Sequence, residues 1–123
     1  MQAEVVRARA GPRHTKLRLT TLVHLFDLLA MQLSAGVPTE VAVAKLKDDF
    51  PDRPARAVLR GIHVELASST ASLSGALAKY PRSFPEGIVA TVRVGEEAGG
   101  PALAARFEDL RDQIAFRLAI RQT

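Results

Sequence analysis

At 123 residues with no cysteine, the chain is sized for one compact domain and holds no disulfide frame, thiolate nucleophile, iron–sulfur cluster or cysteine-built zinc site. Hydrophobic residues at 47% and charged residues at 24% exclude wholesale disorder. The formal net charge of +4 is unevenly placed: Arg7, Arg9, Arg13, Lys16 and Arg18 face only Glu4 in the first 18 residues, and the rest of the chain is neutral. The basicity therefore reads as a property of an arm and not of the domain.

Residues 1–16 lack a sustained helical period and contain Gly11-Pro12, which predicts a flexible basic N-terminal arm ahead of a helical domain over residues 17–123. No apolar core follows the arm's positive charges, so it is not a secretory signal. The longest uncharged stretch, residues 66–78, contains five Ser/Thr and falls short of the roughly 20 apolar residues of a spanning helix.

A stripe through Leu19, Leu22, Val23, Phe26, Leu29, Ala30 and Leu33 predicts the first helix. Leu25, Leu28 and Met31 widen it, enough for a second packing partner. Ala35-Gly36 ends this helix and Pro38 starts the next, which runs to about Asp49 with Val41, Ala44 and Leu46 expected inward. Asp52 reads as the N-cap of a third helix that buries Ala55, Val58, Leu59, Ile62 and Leu66 and turns Arg53, Arg56 and Arg60 to water.

The hydroxyl-rich segment 68–74 caps a short fourth helix carrying Leu73, Leu77 and Tyr80, closed by Pro81. Phe84-Pro85 leads into a fifth, Glu86–Glu97, with Ile88, Val89 and Val92 inward. Gly99-Gly100 stops it and Pro101 opens a sixth, striped by Leu103, Phe107, Leu110, Ile114 and Leu118. No run alternates as a half-buried strand does, so the expected fold is all-α: a compact six-helix bundle with short loops.

Catalytic candidates are few. His14, His24 and His63 are isolated, no GxSxG elbow frames a serine, and no GxxxxGK[ST] or GxGxxG cradle exists. No catalytic or cofactor-binding residue is assigned, and the chain reads as a non-enzyme. The one notable acidic feature is Glu96-Glu97. A divalent cation there would need oxygens from elsewhere, such as Glu108 or Asp112, because adjacent helical residues diverge by about 100°. The commoner arrangement has one of the pair bonded to Arg93 and the other solvated. No metal site is firm, and Glu96 and Glu97 are its only candidates.

The helix-end segments line up as a set. LLAMQLSAGVPTEVAVAKL (28–46) and SLSGALAKYPRSFPEGIVATVRVGEEAGG (72–100) resemble the two signature segments of the F-protein domain of type II secretion systems, which also occurs in inner-membrane platform proteins of type IV pilus assembly. Gly36, Pro38, Ser72, Leu73, Ser74, Phe84, Pro85, Gly95, Glu96 and Gly99 carry the resemblance, which spans residues 19–121. It implies that the chain is the first, cytoplasmic helical copy of a longer protein of the bacterial inner membrane, with spanning helices outside this piece. It also implies a non-enzymatic platform that couples an assembly ATPase to pilin or pseudopilin assembly, with homo-oligomerisation and contacts to other inner-membrane assembly proteins. No cofactor and no nucleic acid are expected. Candidate interface residues are Leu25, Leu28 and Met31 on the first helix and Phe116 and Ile120 on the last. The rival reading is a basic helical nucleic-acid-binding regulator, resting on the arm with Arg53, Arg56 and Arg60.

Overall fold

Helix α1 (Leu19–Ser34) is the most apolar helix of a fold that a computed structural model describes over residues 13–68 and 70–122. It buries Leu22, Leu25, Phe26, Leu29, Ala30 and Leu33, a face too wide for one neighbour. Its main partner is the last helix, α6 (Gly100–Gln122), which runs antiparallel to it. Phe26 meets Phe107 of α6 with ring centroids 5.4 Å apart and Phe84 at 6.3 Å. Together with Phe50, these rings form the fully buried aromatic part of the core. Arg111 ties the same two helices at their surface, reaching Asp27 at 2.8 Å and Asp112 at 2.9 Å. Its hydrogen bonds, first to Asp112 and then to Asp27, raise its pKa further still and keep it charged.

Helix α1 ends in a Schellman turn. The N–H of Val37 donates to the Gln32 carbonyl, that of Gly36 donates to Leu33, and Gly36 takes a φ of 86° that costs a residue without Cβ nothing. Pro38 then precedes α2 (Thr39–Asp49), which packs on α3 (Arg53–Ser68). Asp52 caps α3 by accepting from the Ala55 N–H at 3.3 Å, as the sequence predicts. The short α4 (Leu73–Leu77), α5 (Glu86–Ala98) and α6 complete the all-α bundle, and no strand occurs among the described residues.

Four expectations need correction. Helix α2 turns Ala42, Val43 and Leu46 inward and leaves Val41 exposed, with Ala44 half-buried, because α3 meets the face continuous with buried Phe50. Arg56 is not free in water: it is half-buried and donates to the Phe50 and Pro51 carbonyls at 2.7 and 3.2 Å, tying down the turn before α3. Leu25, an interface candidate, is 1% exposed and belongs to the core.

The fourth concerns the arm. Leu17 is buried and its N–H donates to Ser83 Oγ at 3.1 Å, while that hydroxyl donates to the Thr15 carbonyl at 2.6 Å. Arg13 reaches Glu65 at 4.0 Å. Part of the segment expected as a flexible arm thus contacts the bundle, through Arg13 and Thr15. The arm's residues 1–12 lie outside the described residues. Among the described residues, no helix is long and apolar enough to cross a membrane.

Candidate functional site

Helix α4 has only five residues, too few for a stable helix by itself, since nucleation is costly and every N–H of its first turn lacks an intrahelical partner. The chain supplies partners from two places. Ser72 is the N-cap: its Oγ accepts from the Gly75 N–H at 3.1 Å and lies 3.1 Å from Ser74 Oγ. The other partner comes from α5. Glu96 places Oε2 2.9 Å from the Leu73 nitrogen and Oε1 3.1 Å from the Ser74 nitrogen, so one carboxylate accepts both N–H groups. A negative group at a helix N-terminus also meets the positive end of the backbone dipole.

Gly95, the residue before it, is buried for a different reason. A Cβ there would stand 2.9 Å from Leu103 Cα and 2.7 Å from Arg106 Cγ, so the missing side chain lets α5 approach the backbone of α6. Gly99 then turns the chain with φ at 109°, a conformation that favours glycine, and α6 begins at the next residue. Each residue of the Gly95–Glu96–Gly99 set therefore does a separate structural job.

The remaining motif residues extend the pattern. Phe84 is buried against Phe26, and Pro85 precedes α5 with its carbonyl accepting from Ile88 and Val89. At the end of the bundle where α1 stops and α6 starts, Gly36, Val37 and Pro38 share a cleft with Gly100, Pro101 and Leu103. The two signature segments, distant in sequence, meet there.

A profile of the family described as "Type II secretion system (T2SS), protein F" matches residues 25–123. The chain belongs to the type II secretion system protein F family. Members of this family are inner-membrane proteins. Comparison with curated proteins gave no match. Within the T2SS protein F domain, the motif residues that carried the sequence resemblance are thus explained by capping, close helix approach and chain reversal.

The T2SS protein F domain does not gather the metal candidates. Glu96 is occupied by α4, Glu97 is exposed, and Asp112 is held by Arg111. Among the described residues, no three His, Asp or Glu side chains form a metal-sized group. Arg93 is exposed and takes no ion pair with either glutamate. His24 lies against Phe50 at 5.0 Å, and His63 lies 4.0 Å from Glu40.

The interface candidates divide. Leu25 is core and Leu28 is half-buried against it, while Met31, Phe116 and Ile120 are exposed at 60%, 68% and 56%. Met31 sits near one end of the α1–α6 pair and Phe116 and Ile120 near the other, so they do not make one patch. Sequence reasoning missed the capping role of Glu96, because its partners are more than 20 residues away. It also missed Ser83 as the anchor of residues 15–17. The only available signal was the co-occurrence of the two motifs.

Proposed function

We propose that this domain works by contact alone, on the cytoplasmic face of the inner membrane. It passes conformational change from an assembly ATPase to the membrane part of a platform that moves pilin or pseudopilin subunits. The observation that carries this reading is the role of Glu96. The family's one charged signature residue caps a helix, and the surrounding motif residues hold α4, α5 and α6 together, which suits a rigid transmitter.

Self-association and ATPase contact are assigned to the end of the bundle bearing Met31, an exposed apolar side chain in the last turns of α1. No catalytic residue and no cofactor belong to this reading. The helix face on which the nucleic-acid alternative rests is reduced, since Arg56 is tied to two carbonyls and only Arg53 and Arg60 of its three cations face water.

The test is made in the parent protein with Met31→Glu. Secretion or pilus assembly is expected to fail while the platform protein keeps normal abundance and membrane insertion. Normal assembly in that variant removes this end of the bundle as the contact surface.

A further inference from the structure

The opposite end of the bundle carries a second feature, and it is independent of any ATPase contact. Where the start of α1, the start of α5 and the last turns of α6 converge, a groove of about 680 Å³ opens, within the range of small-ligand sites of about 300–1,000 Å³. Its floor is apolar, formed by Leu22, Leu110 and Ile114 with Ile88 at the side. Its rim is cationic: Lys16, Arg18, Arg82, Arg117 and Arg121. No Asp or Glu is among its described lining residues.

Of these cations, Arg18 alone has a carboxylate partner among the described residues, Asp52 at 3.4 Å. The other four have no ion pair there, unlike Arg111, Lys79 or Lys47 elsewhere on the bundle. The groove also reverses the simple picture of the chain's charge. Lys16, the last residue of the expected arm, and Arg18, just after it, belong to the basic N-terminal segment, and the docking of residues 15–17 on Ser83 sets them beside Arg82, Arg117 and Arg121.

An apolar trough with a cationic rim is complementary to an anionic amphiphile, whose tail needs the floor and whose head needs the rim. We infer that this groove, with the adjoining end of α6, binds anionic phospholipid at the membrane surface. The choice of lipid over an acidic helical peptide rests on what lies beyond the groove. Phe116 and Ile120, one helical turn apart, are exposed next to Arg117 and Arg121, also one turn apart. Paired apolar and Arg stripes at a helix end are the pattern of an interfacial helix, apolar side chains entering the headgroup boundary and guanidinium groups meeting phosphates. A peptide confined to the groove has no use for Phe116 and Ile120. The family's residence in the inner membrane supplies the bilayer.

The experiment is flotation of the full 123-residue chain with vesicles of phosphatidylcholine alone or with about one third phosphatidylglycerol. Binding is expected only with phosphatidylglycerol, and Arg117→Glu/Arg121→Glu should weaken it at least about tenfold, with helical content by circular dichroism unchanged. Arg53→Glu/Arg60→Glu, the same charge change on the exposed face of α3, should leave most of the binding intact. Phe116→Ser/Ile120→Ser should also release the chain.

Equal loss from both double reversals would mean net charge alone drives association and would overturn the proposal. So would full displacement by inorganic phosphate, which would mark a phosphate pocket. Absence of vesicle binding, with or without capture of a fluorescent acidic amphipathic peptide by the groove, would overturn it as well. The Met31 test above is untouched by any of these outcomes.

Discussion

Replacing Glu96 with alanine removes both acceptors from the first turn of α4 at once. The Leu73 and Ser74 N–H groups then have no protein partner, and only partial access to water, since Leu73 and Ser74 are both buried. A hydrogen bond to a charged acceptor contributes about 1.5–3 kcal/mol. The two bonds share one carboxylate and one helix end, so they do not add fully. A loss of about 2–4 kcal/mol follows, a large fraction of the roughly 5–15 kcal/mol that holds a domain of this kind together. With a urea m-value of about 2 kcal/mol/M, the middle of the usual range, the midpoint should fall by about 1–2 M. Glu96→Gln keeps one acceptor but places an amide donor where the second N–H points, so an intermediate loss is expected. Glu97→Ala, on the exposed neighbour, should stay within about 0.5 kcal/mol of the parent chain. The assay is urea denaturation followed by circular dichroism. Glu96→Ala as stable as Glu97→Ala would refute the capping role.

Gly95→Ala should destabilise by about 1–3 kcal/mol despite the gain in helix propensity, because the new methyl meets the Leu103 backbone as well as the Arg106 side chain, and only the side chain can swing away; the urea midpoint checks this, and no change would refute the close approach of α5 and α6. Gly61→Ala should destabilise because a Cβ on α3 collides with the Tyr80 hydroxyl; adding Tyr80→Phe removes that atom and should restore much of the lost stability in a double-mutant cycle, whereas simple additivity would count against the contact. Burial pushes the Tyr80 hydroxyl above its ordinary pKa of 10.0. The folded state therefore holds that proton longer than the unfolded state, so this contribution is complete below about pH 10 and is lost as pH rises through the raised value. Measured as the difference in stability between the parent chain and Tyr80→Phe, it should be flat from about pH 7 to 9 and fall by about pH 11. A difference that stays constant over that range would contradict the buried environment.

The order and extent of the helices were legible because long amphipathic stripes dominate α1 and α6, and because Gly36, Asp52 and Gly99 mark ends by local chemistry. Helix α2 was misread because its valines at 41 and 43 lie on different faces, and only the presence of α3 decides between them. Leu25 reads as surplus in a one-partner helix and becomes core when α1 is packed on more than one side. The motif residues were visible as a set, but their work was not. Glu96 and Leu73 are brought together by tertiary packing, and no local rule relates them. The placing of Lys16 and Arg18 on the bundle was not legible, since the Ser83 anchor that holds this segment joins residues more than 60 positions apart.

The reading as a contact domain is tested most directly by titrating the purified cognate assembly ATPase against the intact chain and against the chain lacking residues 1–12. Saturable binding is expected in both cases, with similar affinity, because the contact belongs to the helical body. Absence of a complex up to about 1 mM, where binding free energy is only about −4 kcal/mol, would contradict it, and so would a complex that disappears with residues 1–12.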